Sequence, residues 1–253
     1  MTGPNRLISL RRMPTADREV ITPDGPMRIY EAVPEGGARG AVVVVQEAFG
    51  VNPHIEDVTR RLAAAGYHAV APDMFHRTGP GAVVDYGDFG AVIEHFIGVG
   101  SDDAIIADID ATLDFLRSSG FTDGQIGIVG FCFGGRVTFL VASQRALGAA
   151  VGFYGGGIVT ARFPQFPALV DGAQTMQTPW LGLFGDRDES IPVDDVEQLR
   201  AALAGAPVDA EVVRYANAEH GFHCDARPSY DADAAADAWS RTLDWFDRHL
   251  AAG

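Results

Sequence analysis

The chain has 253 residues and a hydrophobic content of 47%, which is sufficient to bury the core of an α/β domain of ordinary size. Its formal net charge is -15 at pH 7, and because nucleic acids and anionic membrane surfaces bind basic patches, we expect neither as a partner. A chain of this length commonly forms one α/β domain, so we expect a single domain over residues 1–253. Residues 1–13 contain no apolar run of signal-peptide length and no later segment is long enough to span a bilayer, so we expect the protein in the cytoplasm.

The N-terminal half alternates apolar runs of strand length with a stretch of helical period, which is typical of a mostly parallel sheet. It begins with a predicted hairpin around the Pro-Asp-Gly turn at residues 23–25. The run at residues 41–46 opens with five small or branched apolar residues, as strands buried on both faces do. In chain order we predict strands at residues 19–22, 27–33, 41–46 and 68–73, a helix at 53–65 and a long loop at 75–90.

The C-terminal half continues this alternation and ends in a strongly amphipathic helix, whose apolar residues recur at three- and four-residue steps. We predict helices at residues 102–119, 135–144, 192–204 and 231–250, strands at 125–131, 149–154, 180–184 and 210–215, and a long loop at 155–178. The fold class is therefore α/β, with a mostly parallel sheet of about eight strands and helices on both faces. The two long loops are candidates for substrate contacts, because such loops line active sites in α/β enzymes.

Residues 130–135, Gly-Phe-Cys-Phe-Gly-Gly, lie where a predicted strand runs into a predicted helix. A nucleophile on so sharp a turn needs small neighbours on both sides, and Gly130 and Gly134 supply them. Cys132 occupies the nucleophile position, where the positive end of the following helix stabilises a thiolate. The alternative is a small buried thiol without a catalytic role, since free cysteines are among the most buried residues.

A catalytic nucleophile requires a base, and the base requires a group that orients it. The segment 184–192 follows one predicted strand and contains two candidate acids, Asp186 and Asp188, while His220 follows the next predicted strand. Because the carboxyl ends of parallel strands meet at one edge of a sheet, we expect these side chains to approach Cys132. Each residue alone has an ordinary alternative: a loop aspartate is often a helix cap or turn residue, and a loop histidine is often a surface group.

The second cysteine, Cys224, raises two further alternatives. With His220 and His223 it suggests a metal site, but no other cluster supplies a fourth ligand, so we expect no metal. With Cys132 it suggests a redox-sensing thiol and its resolving partner, which the spacing neither supports nor excludes. Two cysteines without a Cys-x-x-Cys pair form no disulfide framework, which favours a reducing compartment.

These motifs resemble those of the dienelactone hydrolases, which are cysteine-nucleophile members of the α/β-hydrolase superfamily, and the resemblance covers nearly the whole chain. It is carried by residues 130–135, 185–192 and 220–222. The resemblance implies an α/β-hydrolase fold and a catalytic triad of Cys132, Asp188 and His220, and so favours Asp188 over Asp186. It further implies hydrolysis of a small-molecule ester or lactone through a thioester acyl-enzyme, with no cofactor.

Residues 46–50, Gln-Glu-Ala-Phe-Gly, resemble the family segment after the third strand. The resemblance implies that Glu47 interacts with the resting thiol and helps to generate the thiolate. The backbone N–H groups of Phe133 and Ala48 are the expected oxyanion hole. Since a buried carboxylate needs a partner, the alternative role for Glu47 is an ion pair with an arginine such as Arg136.

The sequence constrains the identity of the substrate less than it constrains the type of reaction. Residues 72–77 resemble the family segment with the first of two arginines that bind a substrate carboxylate, so Arg77 is the candidate anion-binding residue, with a plain surface arginine as the alternative. The position of the second arginine holds Cys224, and Arg227 lies off that register. A general carboxylesterase or thioesterase for small neutral acyl groups therefore remains an alternative, as does a non-catalytic ligand-binding protein of the same fold. The sequence leaves the oligomeric state open.

Overall fold

A computed structural model describes residues 14–79 and 81–251. Its eight strands form one sheet in the order β1-β2-β4-β3-β5-β6-β7-β8. The strands are β1 (Thr15–Thr22), β2 (Gly25–Ala32), β3 (Ala41–Val45), β4 (His68–Pro72), β5 (Ile126–Phe131), β6 (Ala149–Phe153), β7 (Trp180–Gly185) and β8 (Ala210–Tyr215). Strand β2 pairs antiparallel with both β1 and β4, and every other pairing in the sheet is parallel. This architecture confirms the predicted α/β class, while the expectation for residues 1–13 lies outside the described residues.

Helices α1, α3, α4, α5 and α6 pack on the strands of this sheet. The helices are α1 (Pro53–Ala64), α2 (Phe89–Val99), α3 (Asp102–Ser118), α4 (Phe133–Gln144), α5 (Val193–Leu203) and α6 (Ala232–His249). Side chains cap several of them: Asn52, Ser101 and Asp231 each accept a hydrogen bond from a backbone N–H of the first helical turn. Among the helices of residues 14–79 and 81–251, none combines the length and the apolar character that crossing a membrane requires.

Most boundaries lie within two residues of the predictions, and three larger differences stand out. Strand β1 begins at Thr15, four residues before the predicted start, because an edge strand can carry the exposed polar residues that argue against a buried one. Helix α2 was not predicted; its two glycines and its exposed Ile93 and Ile97 blur the amphipathic period on which the prediction depends. Inside the predicted loop 155–178, residues Val170–Thr175 form a short 3-10 helix.

Strand register brings the site-bearing loops to one edge of the sheet. In the parallel pairs, Val45 at the end of β3 lies opposite Gly130, and Gly185 at the end of β7 lies opposite Tyr215. The segments that follow these strands carry Glu47, Cys132, Asp188 and His220. The carboxyl edge of the sheet therefore holds the candidate site, as open α/β sheets place their ligands.

Candidate active site

Cys132 lies on a strained turn between β5 and α4. Its φ is 53°, in the left-handed region that non-glycine residues rarely adopt. A Cβ on Gly130 would collide with the backbone of Gly134, and a Cβ on Gly134 would collide with the Val45 carbonyl. The two glycines are therefore required for close backbone approach. The turn is held by the Cys132 N–H, which donates to the Phe153 carbonyl at 3.0 Å.

A carboxylate holds the candidate histidine. His220 Nδ1 lies 2.6 Å from Asp188 Oδ2, while Asp188 Oδ1 accepts from the backbone N–H of Ser190 at 2.8 Å and from its hydroxyl at 2.6 Å. Asp188 is almost fully buried. Asp186 instead accepts two bonds from Arg214, at 2.6 and 2.9 Å. The contact geometry thus joins Asp188, and not Asp186, to His220, which agrees with the choice that the family resemblance implied.

Electrostatics couples Cys132, His220 and Asp188. Burial alone would lower the pKa of His220, but the charge of Cys132 and hydrogen bonds with Asp188 and Cys132 outweigh it and raise this pKa to about 10. Burial alone would raise the pKa of Asp188, yet its hydrogen bonds with His220 and Ser190 bring it below the ordinary value. An imidazolium beside a cysteine sulfur is an arrangement that favours nucleophilic attack by the sulfur.

Glu47, the residue expected to act on the thiol, is fully buried. Arg227 Nη1 donates to its Oε1 at 3.4 Å, while its Oε2 has no hydrogen-bond partner among the described residues. Burial raises the pKa of Glu47, against the opposing charges of Arg227 and His220. The alternative role for Glu47, an ion pair with an arginine, is met by Arg227 and not by Arg136, whose guanidinium binds Asp102 at 2.6 and 3.0 Å. An interaction between Glu47 and the Cys132 thiol stays a prediction.

Arg77, the predicted anion-binding residue, is engaged by two carboxylates of the protein. Its guanidinium donates to both oxygens of Asp108, at 2.7 and 2.9 Å, and to Asp24 at 2.8 Å. Asp108 is completely buried. Arg77 lines neither of the cavities at Cys132 and His220. These contacts favour a structural role for Arg77, as the ion-pair partner of a buried carboxylate. They disfavour both a role in binding the substrate and the alternative of a plain surface arginine.

Two cavities adjoin the candidate catalytic residues. The smaller, of about 60 Å³, is mostly apolar and has Cys132 in its wall. Its other lining residues are Phe96, Phe133, Arg136, Gly156, Gly157, Arg162, Phe163 and Phe166. The larger, of about 860 Å³, is an open groove beside His220 and Asp188, with Tyr86 and Arg227 in its wall. Both predicted long loops therefore reach the site, one through Phe163 and Phe166 and the other through Tyr86.

Sequence reasoning missed several side chains of the site. Ser190 supports Asp188, Arg227 pairs with Glu47, and the Tyr154 ring packs against His220 with centroids 5.1 Å apart. Tyr154 is buried and has a positive φ of 39°. Its position immediately after β6, at the carboxyl edge of the sheet, was the one signal that pointed to it.

Cys132 and Cys224 are both free thiols and form no disulfide with each other. The alternative of a redox-sensing pair stays untested. Cys224 is buried, and the Tyr86 hydroxyl lies 3.1 Å from its sulfur. The metal alternative from the sequence combined Cys224 with His220 and His223. In the structure, the ligand atoms that lie within 4.8 Å of one another belong instead to Glu47, His54 and Cys224.

Comparison with known proteins gives a consistent result. The sequence model of the family described as the Dienelactone hydrolase family matches residues 27–250. A provisionally named carboxymethylenebutenolidase of Yersinia pestis is 41% identical over 216 residues, covering 84% of this chain and 79% of that one. A carboxymethylenebutenolidase of a Pseudomonas species is 29% identical over 219 residues, covering 85% and 87%.

Solved structures extend the likeness to three dimensions. A provisionally named dienelactone hydrolase from Klebsiella pneumoniae has a TM-score of 0.86 and 37% identity, and the match covers 94% of this chain and 100% of that one. A dienelactone hydrolase-like promiscuous phosphotriesterase from metagenomic libraries has a TM-score of 0.76 and 27% identity, with coverage of 94% and 99%. The predicted α/β-hydrolase fold is confirmed.

Proposed function

Because the chain belongs to the dienelactone hydrolase family and is a carboxylic ester hydrolase, we propose that it cleaves an ester or lactone through a thioester acyl-enzyme on Cys132. The observation that carries the proposal is the linked set of Asp188, His220 and Cys132. The 2.6 Å contact between Asp188 and His220, and the electrostatic coupling of His220 to Cys132, provide an orienting acid, a base and a nucleophile in sequence.

In the first half-reaction, the Cys132 sulfur attacks the carbonyl carbon and forms a carbon–sulfur bond, which places a negative charge on the carbonyl oxygen. The backbone N–H groups of Phe133 and Ala48 stabilise that oxyanion. As the tetrahedral intermediate collapses, the carbon–oxygen bond to the leaving group breaks and His220 gives that oxygen a proton. Asp188 fixes the imidazole tautomer and stabilises its charge throughout.

In the second half-reaction, water attacks the thioester carbon while His220 takes a proton from it. The carbon–sulfur bond then breaks, and the products are the carboxylic acid and a Cys132 thiolate beside a protonated His220. No cofactor enters this cycle. Glu47 assists when a cycle starts from a neutral Cys132 thiol: it accepts the thiol proton and leaves the thiolate beside the protonated His220, a role supported by the burial that raises the pKa of Glu47 and so favours its protonated form.

Two substrate classes are compatible with this chemistry. The names of the relatives point to dienelactone-type lactones, which carry a free carboxylate. Two other observations favour simple esters and thioesters with small neutral acyl groups. Arg77 is held by Asp108 and Asp24, and Cys224 occupies the position where the family resemblance places a second arginine. A binding protein without catalysis is disfavoured, because such a protein would not need the linked Asp188, His220 and Cys132.

The test compares hydrolysis of cis- and trans-dienelactone with that of a neutral aryl acetate, under reducing conditions. The wild type, Cys132→Ala and Arg77→Ala are measured side by side. Loss of all turnover in Cys132→Ala supports the thiol mechanism. Lactone turnover that Arg77→Ala abolishes selectively would restore the carboxylate-binding role of Arg77, and turnover of the aryl acetate alone identifies a general esterase. Absence of turnover with all three substrates would contradict the proposal.

A further inference from the structure

We propose that Arg162 binds a negative charge on the acyl part of the substrate, so that the enzyme prefers half-esters of short dicarboxylic acids. This role rests on the proposed function, since the acyl group is the part of the substrate that becomes bonded to Cys132. Arg162 lies in the wall of the cavity of about 60 Å³ that also contains Cys132. With Arg77 held by two carboxylates of the protein, the anion-binding role falls to a different loop.

Arg162 is the one arginine in the described part of the chain without a partner. The sequence contains no lysine, and each other arginine within residues 14–79 and 81–251 has an ion pair, a hydrogen bond or an aromatic ring beside it. The Arg162 guanidinium has no such contact with a described residue, and its five N–H donors fit a carboxylate. In a chain of net charge -15, this free cation beside the reactive cysteine indicates an anionic ligand.

The backbone around Arg162 holds its side chain against the cavity. The guanidinium lies on Gly156, where an added Cβ would collide with it. The loop that carries Arg162 is closed at its base by two hydrogen bonds to the Ile158 carbonyl, from the backbone N–H groups of Leu169 at 2.7 Å and Val170 at 3.0 Å. Because Arg162 is also exposed, its donors are open to an anion that enters from solvent.

Arg136, the other arginine in the wall of this cavity, has no free charge or donor for a substrate. It is buried, and its two terminal nitrogens donate to Asp102 at 2.6 and 3.0 Å. Its guanidinium also donates to the carbonyls of Gly157 and Pro167. The Asp102 carboxylate balances the charge of Arg136, so Arg162 carries the unbalanced positive charge of the cavity.

The two cavities at the site assign this charge to the acyl side of the scissile bond. In the proposed mechanism His220 gives the leaving oxygen its proton, so the leaving group occupies the open groove beside His220. The acyl group on Cys132 then extends into the smaller cavity, whose phenylalanine rings suit methylene groups and whose size limits their number. A short methylene chain that ends in a carboxylate contacts both the rings and Arg162.

The test compares hydrolysis of monoethyl succinate with that of ethyl pentanoate, in which an uncharged ethyl group of similar size replaces the carboxylate. The wild type should have the higher kcat/KM for monoethyl succinate. In Arg162→Gln the ratio of the two kcat/KM values should fall about tenfold, mainly through KM, and Arg162→Lys, which keeps the charge, should recover part of it. The matched control is Arg248→Gln, which changes an exposed arginine outside both cavities and should keep the wild-type ratio.

The result that would overturn this role differs from the result that would contradict the proposed function. Hydrolysis of ethyl pentanoate without a preference for monoethyl succinate, or a ratio that Arg162→Gln leaves unchanged, would overturn the role of Arg162 and leave ester hydrolysis intact. Binding is measured separately, by calorimetric titration of Cys132→Ala with monoethyl succinate. We expect the Kd to rise about tenfold when Arg162→Gln is added. Equal Kd values, or no binding, would overturn the role of Arg162 even in an enzyme that hydrolyses neither ester.

Discussion

The Ser190 hydroxyl donates to Asp188 Oδ1 at 2.6 Å and lies 3.3 Å from the ring nitrogen of His220 that Asp188 holds. One short loop therefore positions both the carboxylate and the imidazole. This relationship gives Ser190 a positioning role in the proposed mechanism, because it acts through Asp188 and His220.

We predict that Ser190→Ala lowers kcat for the neutral aryl acetate about fivefold and leaves KM nearly unchanged. The lost hydrogen bond to a charged group contributes about 1.5–3 kcal/mol, part of which orients His220 in the transition state. Steady-state kinetics measures kcat and KM separately for the variant and the wild type. Ser118→Ala, at the end of α3, is the matched control. An effect confined to thermal stability would show that Ser190 is only structural.

We predict that the alkaline limb of the kcat/KM profile for an alkyl ester lies near pH 10. The pKa of His220 is raised to about 10, so the imidazole keeps the proton that the leaving alkoxide needs until the pH exceeds that value. In Asp188→Asn, a cause of the raised pKa is removed, and the limb should move to lower pH. An aryl ester, whose leaving group needs no proton, should keep its rate through pH 10. A limb near pH 6.5 for the wild-type enzyme would contradict this account.

We predict that Gly134→Ala destabilises the protein by about 2 kcal/mol or more. The added Cβ would collide with the backbone carbonyl of Val45, which cannot move without distorting the sheet. Gly124→Ala is the matched control, because its Cβ would make only an ordinary contact, 3.5 Å from the Ala251 Cβ. Thermal unfolding of both variants measures the difference. Equal unfolding temperatures would mean that the turn tolerates a side chain.

We predict that Arg77→Ala destabilises the protein by about 3 kcal/mol, because it leaves the buried Asp108 carboxylate without its main cationic partner. Its kcat/KM for the neutral aryl acetate should stay within about twofold of wild type. Urea unfolding measures the first quantity and steady-state kinetics the second. Arg248→Ala is the control, since Arg248 is exposed, lies outside both cavities and should tolerate replacement without loss of stability or activity. A stable Arg77→Ala variant would show that the ion pairs contribute little.

Local patterns in the sequence accounted for most strands and for the turn at Cys132. The apolar run of β5 and the glycines of residues 130–135 are contiguous, so their meaning does not depend on the rest of the chain. The helix over residues 231–250 was predictable for the same reason, because its apolar period is regular.

Contacts between distant segments were not predictable. Glu47 and Arg227 are 180 residues apart, and Arg77 and Asp108 are 31 apart. Nothing in the local sequence distinguishes an arginine that will bind a substrate from one that will bind a buried aspartate. The family resemblance transferred a role to Arg77, and the carboxylates packed around it in this chain are what speak against that role.

The most direct test of the central claim is intact-mass spectrometry of enzyme quenched in acid during turnover of an aryl acetate. The account predicts a species heavier than the free enzyme by one acetyl group, mapped by peptide analysis to Cys132 and absent from Cys132→Ala. Wild-type turnover with no acylated species under single-turnover conditions, or acylation at another residue, would contradict the thioester mechanism.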